Sequence, residues 1–255
     1  MNIPVYVVNL PEHEEQWLAI AEQLDPYHFL TPTRITAVNG VTLPDAACRA
    51  LTRNKWSVDH KGTLGCFLSH VKIWEIIASD SSPYALIVED DVILNDMRSL
   101  LELEFPEQSE LIFCNDRLAY PGVDGLRPIA PAIPFAMEQR RALGSDGYFL
   151  SKAGAIHLLE LIEQDTLFAH VDMRLIAYSL TLEEAEKFAS LGRLSANISA
   201  LRHTYPIEHF VVAHSLHPPV VYHPNQPSRR QAIDGKSHVL KQAPASKDHE
   251  ALHRR

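Results

Sequence analysis

Apolar residues in this chain fall into short unbroken runs, separated by segments in which they recur every third or fourth position. Ile3 to Leu10 and Tyr84 to Val88 are runs rich in branched side chains, as expected of strands buried on both faces. Tyr27 to Val38 should contain a second strand, and Leu111-Ile-Phe-Cys114 another that ends at Asn115 and Asp116. Between them the spacing predicts a helix over Glu12 to Leu24 with Trp17, Leu18 and Leu24 inward, and a short one near Asp45 to Leu51. A longer helix is predicted over Thr63 to Ala78, where Leu64, Phe67, Leu68, Val71, Trp74 and Ile77 share a face. From Arg117 to Ala142 proline is frequent and periodicity weak, which predicts a long binding loop or tethered surface segment. Gly147 to Leu150 then reads as a strand, Lys152 to Glu163 as a helix and Leu182 to Leu191 as a further helix. Phe210 to Ala213 and Val220 to Tyr222 read as late strands on either side of Pro218 and Pro219. Such alternation predicts an α/β fold with a mostly parallel central sheet.

One of these strands stops on three carboxylates, in Tyr84-Ala-Leu-Ile-Val-Glu-Asp-Asp91. The carboxyl ends of parallel strands open into the crevice where α/β sheets bind ligands, so Glu89, Asp90 and Asp91 are candidate functional residues. Adjacent anions repel one another and resist desolvation, so a divalent cation, or protons held at raised pKa, should accompany them. Oxygen ligands suit magnesium or manganese better than zinc. A solvated turn in which Asp91 or Asp96 caps a helix near Met97 accounts for the same residues without a metal.

Composition narrows the function classes. The 255 residues carry a formal net charge of −9, which argues against a nucleic-acid partner. No stretch approaches the roughly 20 apolar residues that span a bilayer. The first apolar run lacks a preceding basic region and turns acidic at Glu12, so the expectation is a cytoplasmic protein. Cys48, Cys66 and Cys114 lack CxxC spacing and suggest neither a disulfide framework nor zinc ligands; Cys66 reads as a small buried hydrophobe. After His223 the chain turns polar and basic, dividing it into a domain over 1–223 and a tail over 224–255. That tail is either a solvated segment without a partner or a peripheral contact with the anionic inner membrane.

The segment Lys61-Gly-Thr-Leu-Gly-Cys-Phe-Leu-Ser-His-Val-Lys-Ile-Trp-Glu75, followed by the strand ending Glu89-Asp-Asp91, resembles glycosyltransferase family 25, the lipooligosaccharide galactosyltransferase type. The resemblance extends to Val5-Tyr-Val-Val-Asn-Leu10, Arg34-Ile-Thr-Ala-Val-Asn-Gly40 and Gly144-Ser-Asp-Gly-Tyr-Phe-Leu-Ser151, covering most of residues 1 to 223. It implies a GT-A type, Rossmann-like nucleotide-sugar-binding fold whose acidic motif holds a divalent cation on the donor diphosphate. Manganese stands ahead of magnesium, and a UDP-sugar, UDP-galactose by family expectation, is the co-substrate. The implied reaction is inverting transfer to a glycan or glycolipid acceptor. The segment Pro11-Glu-His-Glu-Glu15 departs from the family, whose members commonly have a Ser and basic residues there.

Roles follow from what sugar transfer needs: stabilisation of the leaving diphosphate, a base for the acceptor hydroxyl, and alignment. Asp91 is the candidate direct metal ligand, with Glu89 and Asp90 in support and His223 as a late-chain ligand. Asp146 is favoured as the base, with Asp172 next, although Asp172 could simply cap a helix. Donor contacts are assigned to Asn9, Leu10, Arg34, Asn39, Lys61, Thr63 and Gly65, and His70 is expected to support the acidic loop or touch substrate. The competing reading is a non-catalytic nucleotide-sugar or glycan binding module of the same fold. A metal-dependent phosphoesterase would want a second close-spaced His and Asp cluster, which the sequence does not show.

Overall fold

In the computed structural model, residues 2–52, 56–120, 122, 124–138, 143–165, 170–204 and 210–224 are described. The chain begins with β1 (Ile3–Asn9), α1 (Glu14–Leu24) and β2 (Leu30–Thr36). Two short helices, α2 (Asp45–Thr52) and α3 (Trp56–Asp59), lead into the long α4 (Lys61–Ser79). Next come β3 (Tyr84–Glu89), β4 (Ile93–Leu94), β5 (Leu111–Phe113), β6 (Gly125–Pro128) and α5 (Ala132–Glu138). The remainder comprises β7 (Gly147–Ser151), α6 (Lys152–Asp165), α7 (Val171–Tyr178), α8 (Leu182–Phe188), α9 (Arg193–Thr204), β8 (Ala213–His217) and β9 (Val221–Tyr222).

Seven strands form one sheet in the order β2-β1-β3-β7-β5-β8-β6. Pairing directions show that β2, β1, β3, β5 and β8 run one way, while β7 and the edge strand β6 run the other. The expected mostly parallel sheet is therefore present, with a reversed strand at its centre. Strand alternation sends side chains into two cores, as a sheet covered on both faces requires. Ala85, Ile87, Phe113, Tyr148 and Leu150 pack with Phe67, Trp74, Ile77 and Leu158 on one face. Leu86, Val88, Ile112 and Phe149 pack with Ile20, Leu24, Met97 and Leu100 on the other.

Several expectations need correction. Leu18 is 58% exposed, because the inward stripe of α1 runs through Ile20 and Leu24, with Trp17 half-buried. Leu18 lies off that 3.6-residue stripe. The segment from Arg117 to Ala142 is not a structureless loop: it contains β6 and α5. Proline hid both, yet Pro128 ends an edge strand, and Pro134 sits in the first turn of α5, where its missing N–H is not needed. The late strand is Ala213–His217 rather than Phe210 to Ala213. Its buried polar side chains obscured it: Ser215 Oγ donates to the Leu118 carbonyl at 2.5 Å, and His214 Nδ1 lies 2.9 Å from Ser109 Oγ. The helix near Met97 is a 3-10 turn, Met97–Leu101, capped by Asp96 rather than Asp91. The α9 helix had no counterpart in the expected elements, and residues 225–255, with most of the expected tail, lie outside the described residues. Among the described residues no helix is long and apolar enough to cross a membrane.

Candidate active site

Strands β1 and β3 are parallel neighbours, and β2 continues the sheet on the far side of β1. The chain thus departs in opposite directions from β1, which opens a crevice at the carboxyl ends of β1 and β3. Asn9 ends β1 there, buried, and faces the acidic loop after β3. Its Oδ1 accepts from Arg34 Nε at 2.7 Å, which fixes the amide so that Nδ2 donates to Asp90 Oδ2 at 2.5 Å and to the His13 carbonyl at 2.9 Å. His13 Nδ1 stands 3.9 Å from the same Asp90 oxygen.

The acidic stretch that departs from the family has partners in this crevice. Glu14 pairs with Arg34 Nη1, and Glu12 Oε1 accepts from Asn39 Nδ2 at 3.1 Å. Arg34 also lies over the Trp17 ring, 5.7 Å from its centroid. Arg34 is thus both a surface ion pair and the group that aligns Asn9. Leu10 follows β1 and is half-buried, while Asn39 caps the short turn Gly40–Thr42 by accepting the Val41 N–H at 3.1 Å.

The start of α4 is clamped to that turn. A Cβ on Gly65 would lie 2.5 Å from both the Gly40 nitrogen and the Val38 carbonyl, so the close approach this glycine permits is backbone against backbone. Ser69 Oγ accepts the Val38 N–H at 2.8 Å, and Lys61 Nζ donates to the Leu43 carbonyl at 2.7 Å and pairs with Asp45 at 2.8 Å. Thr63 and Gly65 are buried in this part of α4. His70 is fully buried, with Nδ1 2.8 Å from Tyr148 Oη and Nε2 3.7 Å from Glu89 Oε1. It supports the acidic loop from beneath.

Strands β3, β5 and β7 bring four carboxylates together. Glu89 ends β3, and its Oε1 accepts from Ser145 Oγ at 3.0 Å. Because β7 is antiparallel to β3, the loop entering β7 adjoins the exit from β3, and the Glu89 N–H donates to the Asp146 carbonyl at 3.2 Å. Asp116 follows β5 and accepts the His223 N–H at 3.2 Å, which brings the end of β9 to the same place. Asn115, buried, donates to the Gly144 and Gly147 carbonyls at 3.0 and 3.3 Å and accepts the Arg117 and Leu118 N–H groups, both at 3.1 Å. It ties the Asp146 loop to the β5 exit.

The electrostatics of this cluster are those of excess negative charge. Asp146 is 2% exposed and its two oxygens have no hydrogen-bond partner; Arg117 Nε is 3.5 Å away. Burial pushes its pKa up to about 7 against the opposing pull of Arg117, and Glu89 and Asp116 add to the rise. Asp91 is exposed at the rim, yet crowding by protein atoms and then the charges of Glu89 and Asp90 push it up to about 6. Glu89, Asp91, Asp116 and Asp146 are hard-oxygen donors of the kind divalent cations take, but among the described residues no three of them bring ligand oxygens within 4.8 Å of one another. Asp172 stands apart: it lies in the first turn of α7, its Oδ1 accepts the Met173 N–H at 2.8 Å, and none of the contacts above involves it. Asn115, Asp116, Arg117, Ser145 and Tyr148 were not among the expected site residues. The signal for Asp116 was available, since β5 also ends on polar residues.

Residues 2–120 match glycosyltransferase family 25, described as LPS biosynthesis protein. A Haemophilus influenzae protein that carries a provisional glycosyltransferase name is 27% identical over 115 residues, spanning 44% of this chain and 40% of that protein. The chain is also similar to the galactosyltransferase LgtC, solved with donor and acceptor sugar analogues, at 11% identity and TM-score 0.44, covering 95% of this chain and 98% of LgtC. The glycosyltransferase GlyE of Streptococcus pneumoniae is 11% identical with TM-score 0.41, covering 88% and 54%. The family 25 match takes in the crevice from Asn9 to Asp91 and continues through Asp116 and Arg117, whereas Asp146 and His223 lie beyond it. The fold is α/β with a mostly parallel central sheet, as the sequence predicts, and its carboxylates stand at the carboxyl ends of central strands.

Proposed function

We propose that this protein is a metal-dependent glycosyltransferase that moves a sugar, galactose by family expectation, from a UDP-sugar to a glycan acceptor such as lipooligosaccharide. The observation that carries the reading is the gathering of Glu89, Asp91, Asp116 and Asp146 where β3 and β5 end and β7 begins, with Arg117 3.5 Å from Asp146. Asp91 with Glu89 would hold the cation, manganese ahead of magnesium, and His223, whose backbone joins Asp116, is the late-chain ligand. When bound, the cation supplies charge stabilisation to the leaving diphosphate.

The chain's own residues supply the rest. Asn9, aligned by Arg34, holds Asp90 in place beside the donor site, and Leu10 and Asn39 line the same end of β1 and β2. Lys61 and Gly65 hold the turn that carries Asn39, and Thr63, buried between them in α4, belongs with them to the donor contacts. Asp146 takes the proton of the acceptor hydroxyl in an inverting transfer, and a pKa near 7 suits a base that works near neutrality. Asp172 is the second choice for that role. Residues 1–223 form the transferase unit and 224–255 the basic tail, through which the protein contacts the inner leaflet as a peripheral, cytoplasmic enzyme.

The test is donor binding and hydrolysis across a panel of nucleotide sugars, with manganese and then with chelator, comparing wild type with Asp91→Ala. Manganese-dependent release of UDP from one sugar by the wild type alone is expected. Donor binding without turnover, even with a range of glycan acceptors supplied, would favour a non-catalytic nucleotide-sugar binding module instead.

A further inference from the structure

Beneath the carboxylate cluster lies a second group of potential ligands with different chemistry. Cys66 and His70 are one turn apart on α4, so both side chains point the same way, toward Glu89 at the end of β3. The Cys66 thiol, one His70 ring nitrogen and a Glu89 carboxylate oxygen all lie within 4.8 Å of one another. His70 Nε2 is fully buried, with no atom at ordinary hydrogen-bond distance and Glu89 Oε1 at 3.7 Å. A buried ring nitrogen held only by such long contacts is costly, so the gap between it, the thiol and the carboxylate points to a ligand.

We propose that Cys66, His70 and Glu89 form a zinc site. A thiolate and an imidazole are borderline-soft donors that select zinc, unlike the all-oxygen set around Asp91. Zinc bonds of about 2.0–2.3 Å place tetrahedral ligand atoms within about 4 Å of one another, so the three side chains need to close by roughly 1 Å. The surroundings already orient the ring. With zinc on Nε2, the proton sits on Nδ1 and is donated to Tyr148 Oη, 2.8 Å away. The same Oη accepts from Trp74 Nε1 at 2.9 Å, so its two lone pairs match two donors. Binding displaces the Cys66 thiol proton to solvent, and a water completes the fourth position.

The site has a consequence for the donor cation, which rests on the proposed glycosyltransferase reading. Glu89 is shared between the two groups, so zinc held by Cys66 and His70 draws that carboxylate away from Asp91. Zinc should then weaken manganese binding and slow transfer.

The direct test does not depend on turnover. Full-length protein stripped with chelator and desalted should take up one equivalent of zinc that survives gel filtration, and with cobalt in its place should show a thiolate-to-cobalt charge-transfer band. Cys66→Ser should abolish the band and lower zinc affinity by more than the ~10–100-fold that loss of a supporting hydrogen bond costs. Tyr148→Phe should keep the band and lower affinity by about 10–100-fold. Zinc bound equally tightly by Cys66→Ser, or a wild-type cobalt complex without the thiolate band, would place the ion on the carboxylates and overturn the site. Should Cys66→Ser not fold, as judged by circular dichroism, the wild-type cobalt spectrum decides alone. Absence of manganese-dependent activity in zinc-free protein that still takes up zinc when it is added would count against the transferase reading and not against this site.

Discussion

Asp146 is a carboxylate whose two oxygens are buried without a hydrogen-bond partner, and the protein pays for keeping it ionised. Its pKa rises from the ordinary carboxylate value to about 7 on folding. Between about pH 4 and pH 7 the folded protein therefore keeps a proton that the unfolded chain has released, and stability contributed by this group falls as pH rises through that window. In metal-free protein, Asp146→Asn should consequently show a smaller drop in Tm from pH 5 to pH 8 than wild type. Equal drops would show that Asp146 does not carry the strain. Asp91 behaves differently because it sits at the rim, where a cation can reach it. With its pKa at about 6, protons compete with metal, so manganese affinity measured by calorimetry should decline as pH falls through about 6. Asp91→Ala should lower metal-dependent turnover by on the order of 10²-fold or more with an unchanged circular dichroism spectrum. Wild-type turnover in that variant would remove Asp91 from the metal site.

At the level of elements, the site is a junction of loops, and its geometry depends on how closely their backbones approach. Gly65 is the clearest case, since an added Cβ would meet the backbone of Gly40 and Val38 rather than a movable side chain. Gly65→Ala should cost about 1–3 kcal/mol by overpacking and lower Tm measurably. Asn115→Ala removes the bonds to the Gly144 and Gly147 carbonyls and should reduce kcat more than Tm, because it frees the Asp146 loop without opening the core. A thermal loss with kcat preserved would make Asn115 structural only. These junctions mark the border of what was legible beforehand. Buried strands and the helix of Leu64 to Ile77 announce themselves through periodicity, and Glu89-Asp90-Asp91 through a strand that stops on charge. The placement of Asp116, Arg117 and Asp146 beside that motif depends on β7 entering the sheet in reverse, a long-range pairing that no local pattern encodes. Gly65 is expected among the donor contacts, and its close approach to the Gly40 and Val38 backbone could be seen only once the neighbouring turn was placed.

For the whole molecule, charge is divided along the chain. Its formal net charge is −9, yet residues 224–255 hold seven Lys and Arg against three Asp and Glu. Residues 1–223 carry the excess acid and would be repelled by an anionic leaflet, so any attraction must come from the tail, at about 1 kcal/mol per base near the surface. Because that attraction is screened, it should weaken as salt rises above physiological strength. The division predicts separable behaviour. A chain ending at Pro224 should fold and bind a soluble nucleotide-sugar donor like the full-length protein, since the crevice from Asn9 to His223 is intact in it. In co-sedimentation with vesicles containing anionic lipid, the full-length protein should pellet at low salt and be released by added salt, while the shortened chain stays in solution at both. If the two pellet equally, the membrane contact lies on the folded unit and the tail is only solvated. If the shortened chain fails to bind donor, the boundary at 223 is misplaced and the tail belongs to the transferase unit.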